Sequence, residues 1–477
     1  MHSFTFVSCL IGLLLPCSQA KTAWQYRNYT FAVPEQPEST FGSTNFSSKS
    51  DALSALTTAL GNTSLVAYPG DVSYGSTIAR VWTKQRQTWP DAIVYPETAA
   101  QVSIVMQFYS VHYALWGDEG FAIMGGGHAD FGGAQSSSVI VDLQKLGSTE
   151  TAVNATATNA TASDPASWPI LKIGGGAEAG DVYSALEGTG WAFLGPRAAS
   201  IGVGGFLLGG GIAFQTNRYG VASDSIVGAE VVLVNGTIVY ASPENDCSDL
   251  FWAINGGGWL GYGVVTHFYV RAYPDPGNAL VGTIVFGEDQ AESVFERAAN
   301  WWTDNNNPDA FPALLYYFKD PSTPTSLVPV RERQYVFQLN ALYFGGDQAQ
   351  FNESFGAFYD GASSISFSNY TIKTVDQYLL TNYPYGYNRE FYGKSHTNST
   401  KEFYRDIWGH YKELIQGLLS RGEDPGHTIV TEEIWGADNF ARLLTTKNAY
   451  DPYCLLNRGR VINTAACVSK GLANTSI

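Results

Sequence analysis

The chain has 477 residues and carries 43 acidic against 27 basic side chains, which gives it a formal net charge of −16. A chain of this length can bury a large core and form two or three domains. The acidic balance argues against nucleic acid or an anionic membrane as a partner.

Residues 1–20 are predicted to be a signal peptide. An apolar stretch from Phe4 to Leu15 is followed by Ser18-Gln19-Ala20, which supplies the small residues of a cleavage site. The stretch is too short to span a bilayer, and no later run reaches spanning length, so the mature chain is predicted to be secreted. N-glycans are predicted at several of the ten Asn-X-Ser/Thr sequons, which are Asn28, Asn45, Asn62, Asn154, Asn159, Asn235, Asn352, Asn369, Asn398 and Asn474.

Three cysteines remain after the signal peptide, namely Cys247, Cys454 and Cys467. An oxidising compartment favours one disulfide and one free thiol for this count. Cys454 and Cys467 would close a short C-terminal loop, and the pairing among the three stays open. The sequence contains no Cys-X-X-Cys pair and no His/Cys cluster at zinc spacing, so no metal site is predicted.

The predicted elements begin with a helix over 50–60, a proline-bracketed strand over 89–96 and an amphipathic helix over 97–109. Val139–Leu143 is predicted as a buried strand, and 147–167 as an exposed insertion. The next elements are a strand over 171–176, a helix over 179–190, a hairpin of 226–234 with 238–240, a helical turn over 249–253 and a strand over 263–270.

The sequence Pro-Asp-Pro-Gly over 274–277 is the clearest boundary in the chain. Beyond it, predicted strands over 279–286 and 335–343 alternate with predicted helices over 289–304 and 347–359. This pattern predicts a separate α+β domain. The tail is predicted to be helical over 436–451.

A glycine-rich loop, Gly125, Gly126 and Gly127 followed by His128, is the first motif that points to chemistry. Three glycines allow a turn to pass close to a ligand and to direct several N–H groups at a pyrophosphate, beside an imidazole. The alternative is a glycine turn next to a hydrogen-bonded surface histidine. A second glycine tract covers 201–211. Neither this tract nor the glycines at 174–176 match the dinucleotide fingerprint, and P-loop, Gly-X-Ser-X-Gly and HExxH motifs are missing from the sequence.

Several short segments indicate a family when they are taken together in chain order. Residues 90–96 read Pro-X-X-Ile-Val-X-Pro, and 124–128 read Met-Gly-Gly-Gly-His. The second glycine tract is followed by Tyr-Gly-Val-Ala-Ser-Asp over 219–224. Further segments of the same kind are Asp-Leu-Phe-Trp-Ala at 249–253, three glycines at 256–258, Gly-Val-Val-Thr at 263–266 and a closing segment at 439–452. Together they resemble the berberine bridge enzyme-like branch of the para-cresol methylhydroxylase/vanillyl-alcohol oxidase type of FAD-linked oxidoreductases, with Met124 where the family usually has arginine.

The resemblance implies a two-lobed α+β fold. An FAD-binding domain would cover 86–275 after an N-terminal region at 21–85, a substrate domain would cover 276–430, and a segment at 431–477 would return to the FAD lobe. FAD would be joined covalently to His128 through its 8α carbon. The residues implied to bind FAD are Gly125, Gly126, Gly127, His128, Ala129, Asp130, Ile201, Gly202, Gly204, Gly205, Gly210, Asp224 and Val264.

Many relatives carry a cysteine for a second flavin bond three residues before the second glycine tract, where this chain has Ala198. The resemblance therefore implies at most one covalent link, through His128. Ile201 would lie near the flavin face, where a residue bulkier than valine can hinder oxygen. Oxidase and dehydrogenase activity thus both stay open.

The base in such enzymes is a Tyr, Glu or Asp that projects from the substrate domain. We predict Tyr385 and Glu433 for this role. The other candidates are Tyr383, Tyr387, Tyr316, Tyr317 and Glu432, and core packing or a solvated position is the alternative for each. The remaining histidines are predicted to be structural, namely His112, His267, His396, His410 and His427.

The predicted function is secreted FAD-dependent oxidation of a small organic substrate in fungal-type secondary metabolism. An alcohol or C–H bond would lose a hydride to the flavin, and oxygen or another acceptor would reoxidise it. One alternative is a carbohydrate oxidase that converts an oligosaccharide to a lactone and releases hydrogen peroxide. Another is a flavin-fold glycoprotein without turnover.

Overall fold

The computed structural model describes residues 23–26, 29–32, 36, 46–116, 120–129, 133–147, 152–154, 161–304, 307–319, 333–370, 391–392, 400–422 and 429–430. These residues form three main sheets with helices packed on them. The predicted helix over 436–451 lies outside them. Within the described ranges, no helix combines the length and the apolar character needed to cross a bilayer.

The first sheet contains the strand that leads into the glycine-rich loop. The elements before and in it are β1 (Ala23–Tyr26), β2 (Tyr29–Ala32), α1 (Lys49–Ala59), β3 (Val66–Ala67), α2 (Val72–Ala79), β4 (Ala92–Val94), α3 (Ala99–Trp116), β5 (Phe121–Met124), β6 (Val139–Asp142) and α4 (Gln144–Gly147). The strand order is β3-β4-β6-β5, and β4, β6 and β5 run parallel. The glycine-rich loop therefore leaves the carboxyl end of a buried parallel strand.

Helix α3 is longer than predicted. The apolar pattern predicted its end at Tyr109, but the helix continues to Trp116 across non-helical backbone angles at His112. Trp116 is buried and packs on Tyr109 and Phe108, so the last turns add to the same core. Burial of a further large aromatic side chain explains the extension.

The second sheet is antiparallel, in the order β11-β10-β12-β8-β7. Its strands and the elements between them are β7 (Ala152–Asn154), β8 (Ile170–Gly174), α5 (Ala179–Leu186), β9 (Trp191–Ala192), α6 (Val203–Leu208), α7 (Thr216–Tyr219), β10 (Ile226–Val232), β11 (Ile238–Ala241), α8 (Ser248–Gly257), β12 (Val264–Arg271) and β13 (Tyr273–Pro274). The predicted hairpin is confirmed as β10 and β11. The stretch predicted as an exposed insertion contains β7, which extends the sheet at its edge by pairing with β8.

The third sheet has the order β15-β16-β14-β17 and its own apolar core. Its elements, with a short parallel pair near the end of the chain, are β14 (Ala279–Gly287), α9 (Ala291–Asp304), β15 (Ala310–Lys319), β16 (Gln334–Phe344), α10 (Gln348–Phe355), β17 (Ser364–Tyr370), β18 (Phe391–Tyr392), α11 (Lys401–Ser420) and β19 (Ile429–Val430). Helix-facing residues such as Phe337 and Leu339 pack with Trp408 and Ile415 of α11. The alternation of strands and helices after 277 matches the predicted α+β pattern.

The other face of the third sheet contacts the segment that follows the second glycine tract. The Phe214 ring packs on Phe311 and Phe344 at centroid distances of 5.7 and 5.9 Å. Arg218 donates from Nε to Asp309 Oδ1 at 2.6 Å and forms a second bond from Nη2 to Oδ2. An apolar cluster and a bidentate ion pair thus join the segment after the second glycine tract to the third sheet and to Asp309 directly before β15.

Cys247, directly before α8, is disulfide-bonded. Every other cysteine of the chain lies outside the described residues. If the mature chain contains one disulfide, pairing of Cys454 with Cys467 is therefore wrong. The sequence offered no spacing rule for a bond that joins distant parts of the chain.

Candidate flavin site

Two glycine runs touch through their backbones. A Cβ atom built on Gly126 would lie 2.2 Å from the nitrogen and 2.6 Å from the Cα of Gly202. A Cβ on Gly202 would lie 2.2 Å from the nitrogen of Gly126. Both positions therefore require glycine, because any side chain would overlap the facing backbone. This contact, the crossing of Gly126 and Gly202, brings the glycine-rich loop and the second glycine tract together.

Further glycines extend the same junction. A Cβ on Gly204 would lie 2.5 Å from the carbonyl oxygen of Gly175, and one on Gly175 would lie 2.1 Å from that of Val265. Gly256 approaches Gly210, whose Cα would be 3.8 Å from the added Cβ. These contacts thus link the four glycine-containing runs of the sequence to one another.

The crossing also gathers hydrogen-bond donors. The main-chain N–H groups of six glycines donate no hydrogen bond within the described part of the chain; they belong to Gly125, Gly126, Gly127, Gly202, Gly204 and Gly205. Gly205 is exposed, and a Cβ there would meet no atom within 4 Å. A cluster of available amides beside open space fits a phosphate-bearing group.

The side chain of Arg80 binds the glycine-rich loop. Its Nη2 donates to the carbonyl oxygen of Gly125 at 3.0 Å, and its Nη1 donates to both carboxylate oxygens of Asp142 at 3.1 and 2.9 Å. A second ion pair joins Nη2 to Glu178 Oε1 at 3.3 Å. Gly127 has a φ of +75° and lies close to the Arg80 carbonyl oxygen, so a side chain there would be strained as well as blocked. Arg80 thus supplies a cation at the loop where Met124 replaces the usual arginine.

Asp142 ends β6 with its side chain completely buried. Besides Arg80, it accepts hydrogen bonds from Thr77 Oγ1 at 2.8 Å and from the main-chain and side-chain nitrogens of Gln144. Burial raises the pKa of the Asp142 carboxyl, against the opposing effects of Arg80 and these donors. A carboxylate in this position depends on Arg80 for its charge balance.

Arg80→Met is expected to lower the free energy of unfolding by about 3 kcal/mol, because it leaves the Asp142 carboxylate buried without its cation. Urea denaturation measures this loss. Arg80→Met combined with Asp142→Asn should lose less than the sum of the two single variants, since the carboxylate is then absent. Lys49→Met is the matched control: its ion pair with Asp91 is exposed and should contribute at most about 1 kcal/mol. Equal losses for Arg80→Met and Lys49→Met would contradict the buried role of Arg80.

His128 lies at the edge of the crossing in a defined orientation. Its Nε2 is 3.0 Å from Ser200 Oγ, and its ring stacks on Trp82 with a centroid distance of 5.0 Å and an interplanar angle of 17°. The nitrogen of Trp82 donates to the carbonyl oxygen of Gly127 at 3.1 Å. The half-buried imidazole is therefore held by Ser200, which directly precedes the second glycine tract, and by Trp82, whose main chain binds the glycine-rich loop.

The other residues implied to bind FAD lie in different settings. Ile201 is half-buried directly before Gly202, and Ala129 packs beside the core that contains Met124. The Asp224 carboxylate is exposed and accepts a hydrogen bond from the nitrogen of Val221, so it supports its own turn. The Val264 side chain is buried in the core beside Val232 and is not available to a ligand. Asp130 lies outside the described residues.

The two tyrosines proposed on a strand point to opposite faces of the third sheet. Tyr316 packs against Trp408 and Phe337 in the helix-facing core, and burial raises the pKa of its hydroxyl. This packing agrees with the core alternative given above for Tyr316. Tyr317 alternates to the face that carries Phe311. The predicted bases Tyr385 and Glu433, and the candidates Tyr383, Tyr387 and Glu432, lie outside the described residues.

Three of the remaining histidines can be placed. His112 packs between Phe46 and Phe108, where burial lowers its pKa. His267 Nδ1 is 2.8 Å from Glu230 Oε1, and both side chains are buried. His410 is exposed on α11. His396 and His427 lie outside the described residues, and the residues that are described contain no His, Cys, Asp and Glu group able to hold a metal ion.

Comparison with known proteins supports a flavin site at this junction. The FAD binding domain family matches residues 90–242, which contain the glycine-rich loop and the second glycine tract. The FAD-dependent monooxygenase sdcF of Emericella nidulans is 26% identical over 73% of this chain and 66% of its own length. The (R)-6-hydroxynicotine oxidase of Paenarthrobacter nicotinovorans is 31% identical over 50% of this chain and 48% of its own length. The match thus spans less than two thirds of either relative.

Solved structures show the same fold. 6-Hydroxy-D-nicotine oxidase from Arthrobacter nicotinovorans superposes with a TM-score of 0.61 at 18% identity, over 83% of this chain and 97% of that one. A chitooligosaccharide oxidase gives a TM-score of 0.62 at 17% identity, over 86% and 99%. A single-residue variant of berberine bridge enzyme gives 0.54 at 18% identity, over 70% and 64%. Residues 90–242 therefore belong to the FAD binding domain family, and the chain has the fold of berberine bridge enzyme, as its motifs indicated.

Proposed function

We propose that this chain oxidises a small organic substrate by hydride transfer to an FAD that is covalently attached through His128 alone. The observation that carries the proposal is the crossing of Gly126 and Gly202, which places unengaged amides and an oriented imidazole together. The matching FAD binding domain family covers this crossing. The relatives named as FAD-dependent monooxygenase and oxidase support a redox activity.

When bound, FAD supplies a two-electron acceptor for the hydride of an alcohol or C–H bond. The residues of the chain bind and orient it. The six glycines with available amides present donors suited to the pyrophosphate, and Arg80 stabilises the glycine-rich loop that carries three of them. Ala198 is buried at 9% exposure and has no thiol, so the chain offers no sulfur for a second flavin bond there.

The experiment that tests this proposal is acid precipitation of the purified secreted protein. Covalently bound flavin stays in the pellet and absorbs near its usual visible bands, whereas dissociable flavin is found in the supernatant. A flavin-containing pellet supports the proposal. A colourless protein without flavin in either fraction, made in a eukaryotic secretory host, would contradict it and favour the glycoprotein without turnover.

Substrate screening on the flavin-containing protein separates the two oxidative alternatives. Reduction of the flavin by small alcohols or phenols without air supports oxidation of a small organic substrate. Reduction by oligosaccharides, with hydrogen peroxide released in air, would identify a carbohydrate oxidase instead, as the name of one structural neighbour suggests for that protein. We place the reaction in fungal-type secondary metabolism because fungal FAD-dependent monooxygenases are among the relatives.

We also propose that the chain is secreted and glycosylated. The sequon residues whose exposure is described, Asn62, Asn235, Asn352 and Asn369, are all exposed. Peptide:N-glycosidase treatment is therefore expected to lower the apparent mass of the secreted protein, and Asn352→Gln should remove one step of that shift. Asn217→Gln is the control, since this exposed asparagine heads no sequon. A secreted protein whose mass is unchanged by the enzyme would contradict the prediction.

A further inference from the structure

We propose that Ser200 is a positioning residue that orients the imidazole of His128 for attachment of the flavin. The inference rests on the proposed function, because it takes His128 as the point of attachment. It adds a residue from the second glycine tract region to the attachment chemistry, and this residue is not part of the motifs that identified the site.

The geometry of the crossing explains why these two side chains meet. The glycine-rich loop and the second run touch at Gly126 and Gly202. His128 follows Gly126 by two residues, and Ser200 precedes Gly202 by two residues. The carbonyl oxygen of Ser200 itself would lie 3.1 Å from a Cβ on Gly126, so the Ser200 backbone is part of the crossing. The separation of 3.0 Å between His128 Nε2 and Ser200 Oγ thus follows from rigid backbone packing.

The neighbouring backbone fixes Ser200 further. The nitrogen of Ile201 donates to the carbonyl oxygen of Ala198 at 3.2 Å, and the nitrogen of Gly180 donates to that of Ala199 at 2.9 Å. The turn that carries Ser200 is therefore held on both sides. A hydroxyl on a rigid turn loses little conformational freedom when it forms its hydrogen bond, so it orients its partner effectively.

Ser200 and Trp82 constrain different motions of the imidazole. The indole of Trp82 stacks on the ring at 17°, which sets the ring plane but permits rotation within that plane. The hydrogen bond to Nε2 removes this rotation and binds one of the two ring nitrogens. The pair therefore presents the ring edge in one orientation, which is the requirement for bond formation at a fixed carbon.

The attachment reaction modifies His128 and leaves Ser200 and Trp82 unchanged. One C–N bond forms between a ring nitrogen of His128 and the 8α methyl carbon of the flavin. One C–H bond of that methyl group and the N–H bond of the imidazole break. The two electrons and two protons leave with dioxygen, the oxidant that we assign, as hydrogen peroxide. Ser200 holds the imidazole during this reaction and is unchanged after it.

The test compares Ser200→Ala and Ser200→Thr with the wild type after expression and incubation with FAD in air. Total flavin and acid-stable flavin are measured over time. Ser200→Ala is expected to bind FAD as the wild type does but to form acid-stable flavin about tenfold more slowly, the factor that one lost hydrogen bond supplies. Ser200→Thr keeps the hydroxyl and should restore the rate. A structural role would not separate binding from attachment in this way.

Ser103→Ala is the matched control. This buried serine donates to the carbonyl oxygen of Gly236, outside the candidate flavin site, and its loss should leave the attachment rate unchanged. An equal attachment rate in Ser200→Ala and the wild type would overturn the role of Ser200 while the covalent link stands. Failure of Ser200→Thr to improve on Ser200→Ala would overturn it as well. Absence of acid-stable flavin in the wild type would instead contradict the proposed function.

Discussion

Gly126→Ala is expected to abolish flavin binding and to lower the free energy of unfolding by more than about 4 kcal/mol. The added Cβ would lie 2.2 Å from the nitrogen of Gly202, and the obstacle is backbone that cannot rotate away. The first two sheets would have to separate at the crossing, which removes the amides from their common position. Urea denaturation and the flavin absorbance of the purified protein measure the two effects.

Substitutions at two further glycines serve as controls for Gly126→Ala. Gly356 lies outside the site, and an added Cβ there meets nothing within 4 Å, so Gly356→Ala should change stability by no more than about 0.5 kcal/mol. Gly205 also has open space around it but lies at the proposed flavin site. Gly205→Ala should therefore keep the fold and weaken flavin binding. A stable, flavin-containing Gly126→Ala protein would show that the crossing is not required.

His128→Ala is expected to remove all acid-stable flavin, because Ala198 leaves no thiol for a second attachment. Flavin bound by the glycine amides remains and is released by acid, so it moves from the pellet to the supernatant. Tandem mass spectrometry of the wild type should find the flavin on the peptide that contains His128. Spectra of pellet and supernatant, together with this peptide, form the measurement.

The control for the histidine variant is His410→Ala. His410 is exposed on α11, and its replacement should leave acid-stable flavin at the wild-type level. Retention of acid-stable flavin in His128→Ala would show that another residue carries the link. The two variants also differ in what they test, since His128→Ala addresses the attachment point and Ser200→Ala its orientation.

The sequence predicted the elements around the site well, and it predicted the reason for the glycines only in part. Three glycines before His128 were interpreted as space for a ligand. The structure shows that Gly126 and Gly202 each leave space for the backbone of the other, because the two backbones touch. A spacing pattern within one segment carries no information about which distant segment it contacts. The contact between Gly126 and Gly202 therefore could not be predicted from the sequence.

Arg80 is the residue that sequence reasoning missed. It follows the end of α2, outside every recognised motif, and reaches the glycine-rich loop only because β4, β6 and β5 lie side by side. The replacement of the usual arginine by Met124 was the available signal, because the loop still needed a cation. For Tyr316 the sequence left core packing and a catalytic role both open, because alternation along β15 was visible but the side of the sheet that α11 covers was not.

The crossing of Gly126 and Gly202 is also a long-range contact for the folding chain. Gly126 follows β5 and Gly202 directly precedes α6, far apart in the chain, so the entropy of closing this long loop opposes their meeting. We therefore expect the amides and His128 to come together only in a chain that has formed this long-range contact, so that FAD would bind after folding and would not serve as a template for it.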